Sequence, residues 1–429
     1  MIEGTPELPA PLLVALSDGG GGAAKATTRL HTGLRRDGFR SALVVRQSGG
    51  GIASRMASDS EFVRALASAR PLVEEVVQRL QRSPNQSFHS SNLLPSRWSR
   101  LIDARRPDVV NLHWIGAGAM SIRDIGRITR PVVMTLHDMW GFCGSEHLSS
   151  EDDGERWRVG YSRSNRPANH RGVDLDRRTW RRKLRHWAPV HIVCPSKWLA
   201  RCARQSALMS EWPIHVVPNA LDLDVFRPID QAAARKILGL PPDETLLLFG
   251  AFGSLDPQKG FDRFVEVLGG LGGRINNLGA VLVGGGEDDP VPSIPGVHVR
   301  SLGAIQDEVS LAMIYSAVDV VVVCSSQESL SQVATEAQAC GTPVAAFDVT
   351  GLPDAVEHQK TGYLAQPFAV EDLATGIEWI LASPDRQSRL ADAARTRAVA
   401  LWSENEVVSR YLEVYRTAID EHDTDRTGL

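Results

Sequence analysis

The sequence predicts an α/β protein built from two domains, each with a doubly wound parallel sheet. The chain has 429 residues, which is too long for one ordinary core and suits two domains of about 200 residues each. Short runs of aliphatic and β-branched residues alternate with stretches of helical spacing. The runs are continuous, which is typical of strands buried on both faces, and their alternation with helices favours βαβ units. We therefore expect two Rossmann-like domains facing a cleft.

Strand candidates occur in both halves of the chain. Helices are expected between them, from Ala23 to Gly38 and again where Phe261, Phe264, Val265, Leu268 and Leu271 keep helical spacing. The strand candidates of the first half are Pro11–Ser17, Ser41–Arg46, Asp108–His113, Pro131–His137 and His191–Pro195. Those of the second half are Thr245–Ala251, Ala280–Gly284, Val318–Cys324 and Pro343–Phe347.

The boundary between the domains is expected near residue 220. The segment Val217–Pro228 contains two prolines and is typical of a hinge, so we predict domains of residues 1–220 and 221–401. A second irregular segment, Ser149–Arg185, has no strand pattern. Its residues 151–185 carry 11 Lys or Arg against 6 Asp or Glu. A stretch this long between sheet elements is usually functional or disordered.

Composition excludes several classes of protein. A formal net charge of -4 gives no reason to expect nucleic acid as a partner. No apolar run approaches the roughly 20 residues that span a bilayer, and the N-terminus lacks the plan of a signal peptide. The five cysteines are scattered without a CxxC pair, which indicates reduced thiols and not disulfides or a zinc site. We expect a cytoplasmic protein.

Two loops that follow predicted strands have features suited to phosphate. Glycines at Gly19–Gly22 allow backbone amides and a helix start to approach an anion. After the first strand of the second half, Lys259 stands beside Gly260 and places a positive charge where the helix dipole already favours an anion. The alternatives are a tight strand-to-helix turn for the glycines and a solvated lysine for Lys259.

Two glutamates follow the predicted strand Val318–Cys324. Glu328 lies in the loop and Glu336 on the next helix. Carboxylates suit sugars because each accepts strong hydrogen bonds from two hydroxyl groups, and the amides of Leu330–Val333 suit a diphosphate at the helix start. The spacing alone leaves two alternatives open: a general acid and base of a hydrolase, or a helix-capping arrangement.

A histidine and an aspartate end the predicted strand Pro131–His137. His137 at the carboxyl end of a strand faces the ligand side of a parallel sheet, where it can donate a hydrogen bond or move a proton. Cys143 and His147 follow, but their spacing with His137 matches no usual metal motif. We expect no metal and no other cofactor.

At these residues the chain resembles the family 4 retaining glycosyltransferases, which have the GT-B fold, over nearly its whole length. The most specific part is the ExxxxxxxE element Glu328–Glu336 followed by EAQACGTPVAA. The glycine loop, TLHD, VPNALD, KGFD and the terminal WSENEVVSRYLEVY also occur in the family's order. The resemblance implies metal-independent transfer of a sugar from a nucleotide diphosphate sugar to a hydroxyl acceptor.

The resemblance also implies roles for matching positions, with His137, Lys259 and Glu328 as the catalytic ones. Glu336 would bind the nucleotide ribose, Glu328 a hydroxyl of the donor sugar, and Lys259 the diphosphate. His137 would contact the transferred sugar. The last helix, about residues 402–420, would pack back on the N-terminal domain. The other implied donor-binding positions are Gly20, Gly21, Gly22, Ser254, Gly303, Ala304, Ile305, Ser329, Leu330, Ser331 and Gln332.

Two features depart from the family's pattern. The family has an arginine in a G-R-L step shortly before the lysine, and here the step is Gly253-Ser254-Leu255. One positive charge on the diphosphate is then missing unless Arg263, Arg300 or the charged segment supplies it. Some subgroups also carry a cysteine cluster after HDMW, which this chain does not have.

The acceptor side is expected in the N-terminal domain. The basic cluster Arg177–Arg185 around Trp180 suits an acidic acceptor, a phosphate or an anionic membrane surface, and its alternative is a solvated surface excursion. The acceptor itself stays open among a polysaccharide, a glycolipid intermediate and a natural product. Two other functions are considered: a nucleotide-sugar epimerase or sugar phosphorylase on the same fold, and a binding module without turnover. The acceptor-side candidates are Asp138, Trp140, Glu146, His147, Tyr161, Arg177 and Arg181.

Overall fold

The computed structural model describes residues 9–49, 52–55, 70, 72–83, 85, 87–149, 155–252, 257–286 and 289–427. The chain divides into two compact units. The first comprises the residues up to Pro218 together with those from Val407 onward, and the second comprises Asn219–Glu406. Each unit is built on one parallel sheet with helices between its strands, so the predicted fold class is confirmed.

The sheet of the first unit has the strand order β3-β2-β1-β5-β6-β8-β9, and every pairing in it is parallel. The direction of winding reverses between β1 and β5, and such a switch point is where open α/β sheets place ligands. A separate two-stranded ribbon pairs β4 with β7. The strands are β1 (Pro11–Ser17), β2 (Ala42–Gln47), β3 (Ser54–Arg55), β4 (Gln81–Arg82), β5 (Val109–His113), β6 (Val132–Thr135), β7 (Arg171–Gly172), β8 (His191–Cys194) and β9 (Ile214–Val216).

The sheet of the second unit has the order β12-β11-β10-β13-β14-β15 and is also entirely parallel. Its winding reverses between β10 and β13. Alternate residues of its strands enter two separate hydrophobic clusters, so both faces are buried, as the continuous apolar runs predict. The strands are β10 (Thr245–Phe252), β11 (Leu278–Gly284), β12 (Val297–Ser301), β13 (Val320–Val323), β14 (Val344–Phe347) and β15 (Gly362–Ala365).

Helices follow most strands. Several helices begin at a residue whose side chain accepts a hydrogen bond from a backbone amide of the first turn. Asp174, Ser196, Asp230, Asp307 and Ser331 act in this way. In the first unit the helices are Gly22–Arg36, residues 72–79, Trp98–Ala104, Ile122–Ile125, Arg156–Val159, Leu175–His186 and Lys197–Gln205. In the second they are Gln231–Leu238, Phe261–Leu271, Glu308–Ala317, Gln332–Ala339, Leu352–Ala355, Val370–Leu381 and Pro384–Trp402. The last helix, Glu404–Thr427, begins in the second unit and continues in the first.

Each strand candidate corresponds to an observed strand, with boundaries that differ by no more than two residues. Four strands at the sheet edges were not predicted: β3, β9, β12 and β15. The ribbon strands β4 and β7 were not predicted either. All six are short, and each contains a polar residue or a glycine, so they lack the continuous apolar pattern. Among the described residues, no helix is both long enough and apolar enough to cross a bilayer. All five cysteines are buried as free thiols.

The last helix joins the first unit through buried tyrosines. The hydroxyl of Tyr415 accepts a hydrogen bond from Nδ2 of Asn111 at 2.8 Å, and the hydroxyl of Tyr411 lies 3.3 Å from Oγ1 of Thr135. Both partners are on central strands of the first sheet. The helix therefore covers the core of the first unit from Val407 onward.

Candidate functional site

Lys259 lies at the switch point of the second sheet. It ends the short 3-10 turn that follows β10, and the loop after β13 packs against this turn, with the amide of Ser326 donating to the carbonyl of Gln258 at 2.7 Å. Gly260 has φ +69, and a Cβ there would collide with the carbonyl oxygen of Cys324. Glycine is thus required for the two loops to approach each other.

Glu328 is held on several sides. Its Oε1 lies 2.7 Å from Nζ of Lys259 and accepts a hydrogen bond from Oγ of Ser325 at 2.9 Å. Its backbone amide donates to Oγ1 of Thr350, and its carbonyl accepts from the amide of Gly351, both at 2.9 Å. Thr350 has a left-handed φ of 50, a conformation that costs a β-branched residue energy and marks over-determined sites. The carboxylate therefore has a fixed position beside the lysine.

Glu336 lies inside the helix Gln332–Ala339 and is 3% exposed. One of its carboxylate oxygens, Oε2, accepts a hydrogen bond from the hydroxyl of Tyr315 at 2.9 Å. The helix begins at Ser331, whose hydroxyl accepts from the amide of Ala334. Leu330 is buried, whereas Ser329 and Gln332 are half-buried. The two glutamates therefore differ in environment: Glu328 is ion-paired in a loop and Glu336 is buried in a helix.

The step Gly303–Ile305 follows β12 at the same edge of the second sheet. Gly303 has a φ of +66°. Its carbonyl accepts a 2.8 Å hydrogen bond from the amide of Gly284, the last residue of β11. Ile305 packs against one of the hydrophobic clusters, and Ala304 is exposed. Ser254 lies outside the described residues, so its expected place near the diphosphate stays a prediction.

Two arginines were named as candidates that could supply the charge missing at position 254. Arg300 is engaged elsewhere, because its guanidinium lies 2.6 and 2.9 Å from the two carboxylate oxygens of Glu244. Glu244 precedes β10, at the edge of the sheet opposite Lys259, which excludes Arg300 from that role in this conformation. Arg263 lies on the correct side, since its Nη1 approaches the carbonyl of Cys324 at 3.4 Å.

In the first unit, the glycine loop follows β1. Gly20 has φ +94, and a Cβ at Gly20 or Gly21 would meet no atom within 4 Å. Gly21 caps the helix Gly22–Arg36 without a side-chain hydrogen bond. The loop therefore leaves open space at Gly20 and Gly21 directly before a helix start, which is where an anion would bind.

His137 lies two residues beyond the end of β6, in a loop and not in the strand as predicted. Its Nε2 lies 3.1 Å from Nδ1 of His113, which ends β5. Burial lowers the pKa of His137 to about 4, although the negative charge of Asp138 opposes this shift. Burial and His137 lower the pKa of His113 well below its ordinary value. Both rings are thus neutral at neutral pH.

Asp138 organises the loop after β6. Its Oδ2 accepts hydrogen bonds from Nδ1 of His147 at 2.6 Å and from the indole of Trp114 at 2.7 Å, and Oδ1 accepts from the amide of Trp140 at 2.9 Å. Burial opposes ionisation, but His147 and the other donors bring the pKa of Asp138 below its ordinary value. Nε2 of His147 bonds in turn to Oγ of Ser90 at 2.7 Å.

The structure corrects the expectation that most of the acceptor-side candidates lie at an open surface. Trp140, Glu146, His147 and Tyr161 are all about 5% exposed or less. The hydroxyl of Tyr161 donates to Glu146, whose pKa is raised well above its ordinary value by burial and by the neighbouring charge of Asp176. These side chains pack inside the first unit and support the loop that follows β6.

Lys183 is the residue that the sequence pattern concealed most completely. It is 0% exposed although it lies in the basic run RRTWRRKLR. Its ammonium donates to the carbonyls of Trp140, Cys143 at 3.1 Å and Gly144 at 2.8 Å, and lies 4.0 Å from the centroid of the Trp140 ring. Burial lowers its pKa to about 7. Lys183 thus ties together the loop that begins at His137.

The remaining basic residues of the segment Ser149–Arg185 fall into two groups. Arg181 is exposed and Arg177 half-buried, so both stay candidates for contact with an anion. Arg182 instead donates to the carbonyls of Ser91 and Asn92 at 2.8 and 2.9 Å. The described part of the segment is therefore anchored to the first unit by side chains such as Arg182, while Arg181 stays at its surface.

Three residues of this region were missed by the sequence analysis: His113, Trp114 and Lys183. His113 was placed in a strand without a role, although its position at the end of β5 was the available signal. Trp114 is half-buried, has a left-handed φ of 39 and lies 6.0 Å from the exposed ring of Phe88 between centroids. No group of three or more potential metal ligands occurs among the residues that the structure describes.

Two family profiles match this chain. The profile described as Glycosyltransferase Family 4 matches residues 20–225, and the profile described as Glycosyl transferases group 1 matches residues 230–397. Each profile falls within one compact unit, except for a few residues of the first profile that extend past Pro218. Together the two profiles span most of the chain.

Curated relatives match about half of the chain. A D-inositol 3-phosphate glycosyltransferase of Mycobacterium avium is 36% identical over 226 residues, which cover 50% of this chain and 52% of that protein. The enzyme of the same name from Mycobacterium bovis is 36% identical over 227 residues, 50% of this chain and 45% of that one. The chain thus spans about half the length of the curated relatives it matches.

Solved structures resemble the whole chain in fold. HepE of Anabaena, crystallised with UDP and glucose, has a TM-score of 0.64 at 19% identity and covers 95% of this chain and 100% of its own. Sucrose-phosphate synthase of Thermosynechococcus elongatus has a TM-score of 0.64 at 19% identity, with 96% and 100% covered. At this identity the likeness establishes the fold alone.

Proposed function

This chain belongs to the family 4 glycosyltransferases, and on that premise we propose that it transfers a sugar from a nucleotide diphosphate sugar to a hydroxyl acceptor. The observation that carries the proposal is the pairing of Lys259 with Glu328, 2.7 Å apart at the switch point of the second sheet. A cation for a diphosphate and a carboxylate for sugar hydroxyls lie side by side where open α/β sheets bind ligands.

The proposed reaction breaks the bond between the anomeric carbon and the β-phosphate oxygen and forms a bond to the acceptor oxygen on the same face. The proton of the acceptor hydroxyl passes to the departing phosphate oxygen. Charge develops on the leaving diphosphate, so Lys259 and the amides near Leu330–Gln332 stabilise the transition state by preorganised electrostatics. The configuration of the anomeric carbon is retained, and we propose that no metal takes part.

Each remaining donor position keeps its expected role within this proposal. Glu336 binds the ribose, with Tyr315 holding one of its oxygens in place. Gly303–Ile305 contact the base, and the Gly20–Gly22 loop of the first unit keeps its role as an anion-binding loop. His137 contacts the transferred sugar.

For the acceptor we propose a hydroxyl compound that carries negative charge. The support is the pair Arg177 and Arg181, which lie on one helix; Arg181 is exposed and Arg177 is half-buried. The mycobacterial relatives are named for an inositol phosphate, which agrees with an anionic acceptor. An anionic membrane surface would meet the same arginines. Buried free thiols suit a reducing compartment, so we propose a cytoplasmic location.

A ligand screen tests the proposal directly. Thermal unfolding is measured with UDP, GDP and ADP, because a ligand at 100 times its Kd stabilises the folded chain by about 2.7 kcal/mol. The matching nucleotide sugars are then incubated with phosphorylated and neutral hydroxyl acceptors. We expect one diphosphate to raise Tm and its sugar to be transferred. Binding without transfer would indicate a binding module, and conversion of the donor without an acceptor would indicate an epimerase.

A further inference from the structure

Two histidines from neighbouring strands meet at the carboxyl edge of the first sheet. His113 is the last residue of β5 and pairs in register with Thr135, the last residue of β6, two residues before His137. The ring nitrogens Nδ1 of His113 and Nε2 of His137 lie 3.1 Å apart, and the ring centroids are 5.3 Å apart. This is a hydrogen bond between two imidazoles, so one ring donates and the other accepts.

The two rings have different surroundings. His113 is 1% exposed, and its second nitrogen, Nε2, has no hydrogen-bond partner among the described residues. His137 is half-buried, and among the described residues its hydrogen-bond partner is His113. Because burial keeps both rings neutral, each carries a single proton, and only two arrangements of these protons are compatible with the contact.

In the first arrangement, Nδ1–H of His113 donates to Nε2 of His137. The bare Nε2 of His113 is then an unpaired acceptor, and His137 carries its proton on Nδ1. In the second arrangement, His137 donates, and His113 must carry its proton on the buried Nε2, where no described acceptor lies. Buried N–H groups without an acceptor are rarer in folded proteins than under-satisfied acceptors, so the first arrangement is favoured.

We infer that His113 is a positioning residue that holds His137 in the tautomer protonated at Nδ1. The inference rests on the proposed function for its consequence, which is that His137 offers a hydrogen-bond donor, and not an acceptor, to the transferred sugar. A carboxylate usually orients a functional histidine. Here the adjacent carboxylate, Asp138, is engaged by His147 and Trp114, and a second histidine takes over the orienting role.

Nitrogen NMR of the full chain labelled with ¹⁵N-histidine tests the tautomer without any activity. We expect Nδ1 of His137 to have the shift and couplings of a protonated nitrogen and Nε2 those of a bare one. In His113→Leu this preference should be lost, whereas His113→Asn, whose side-chain amide can donate from nearly the same place as Nδ1, should keep it. A wild-type His137 protonated at Nε2 would overturn the inference.

Kinetics supply the second readout. In His113→Leu we expect kcat to fall about tenfold, the usual effect of losing one neutral hydrogen bond, with unchanged affinity for the nucleoside diphosphate, and His113→Asn should restore most of the rate. Equal rates in the two variants would also overturn the inference. If His113→Leu does not fold, the wild-type spectrum and the asparagine variant still decide. If no transfer is found, the proposed function fails while the spectrum still reports on the tautomer.

Discussion

The ammonium nitrogen of Lys259 lies 2.7 Å from Oε1 of Glu328, although the two residues are 69 positions apart in the chain. The side chain of Glu328 is 14% exposed and that of Lys259 is 36% exposed, so the pair is shielded on the carboxylate side and open on the lysine side. The group assigned to the diphosphate is therefore ion-paired with the group assigned to the sugar.

Replacing each member of this pair should have opposite effects on nucleotide binding. Lys259→Ala should lower kcat by about 10²- to 10³-fold, the usual loss for one preorganised charge-stabilising group, and should weaken diphosphate binding. Glu328→Gln should reduce transfer but keep or tighten diphosphate affinity, because Lys259 is released from its carboxylate. Calorimetry with the diphosphate found in the screen and initial rates measure both. Activity of Lys259→Ala within threefold of wild type would contradict its role.

Glu336→Gln should weaken binding of the free nucleoside diphosphate, because the ribose stays on the leaving nucleotide. The loss of a charged hydrogen-bond partner is worth roughly 1.5–3 kcal/mol, or about 10- to 150-fold in Kd. Tyr315→Phe is the matched control, since it removes only the hydroxyl that donates to Oε2 and should have a smaller effect. If both glutamate variants bind diphosphate normally and lose kcat with altered pH profiles, a general acid and base pair explains them better.

Lys183 should make stability depend on pH. Its pKa in the folded chain, about 7, lies below its ordinary value of 10.5. Between these values the unfolded chain binds one more proton than the folded chain, so stability should rise with pH by up to about 1.4 kcal/mol per unit. Below pH 7 both states are protonated and this contribution is constant. Lys183→Met should unfold at lower temperature and lack this rise, and parallel Tm curves of variant and wild type from pH 7 to 9 would contradict the prediction.

The exposed Arg181 and the half-buried Arg177 should affect the acceptor and not the donor. Arg177→Ser and Arg181→Ser should raise the acceptor KM and leave diphosphate affinity unchanged, because they offer positive charge at the surface of the first unit. Arg182→Ser is the contrasting variant: it removes hydrogen bonds to the carbonyls of Ser91 and Asn92 and should lower Tm. Equal damage to donor and acceptor binding by the first two variants would count against an acceptor role.

Activity should survive EDTA, because in the proposed reaction Lys259 supplies the positive charge that a divalent ion would otherwise bring to the diphosphate. Initial rates are compared before and after treatment and after addition of Mg²⁺ or Mn²⁺. A complete loss that either ion restores would establish a metal-dependent transfer and remove Lys259 from its proposed place.

Much of the fold could be predicted because its signals are local. A run such as Leu246–Phe249 is apolar at every position, which is typical of a strand buried on both faces. The positions of Lys259 and Glu328 follow from the same logic, because parallel strands bring the loops after their carboxyl ends to one edge. The edge strands β3, β9, β12 and β15 escaped prediction since one side of each lacks a partner strand, which relaxes the demand for apolar residues.

What the sequence by itself determined is the order of strands and helices, the family motifs and the loops that carry them. Only the tertiary structure decided which charged side chains are buried and which atoms they contact. Lys183 stands in a run of arginines, yet it shares a helix face with Leu175, Asp176 and Thr179 and points into the core. His113 finds His137 only because β5 and β6 are neighbours in the sheet. Burial and pairing of polar groups depend on partners distant in sequence, and a local pattern contains no record of them.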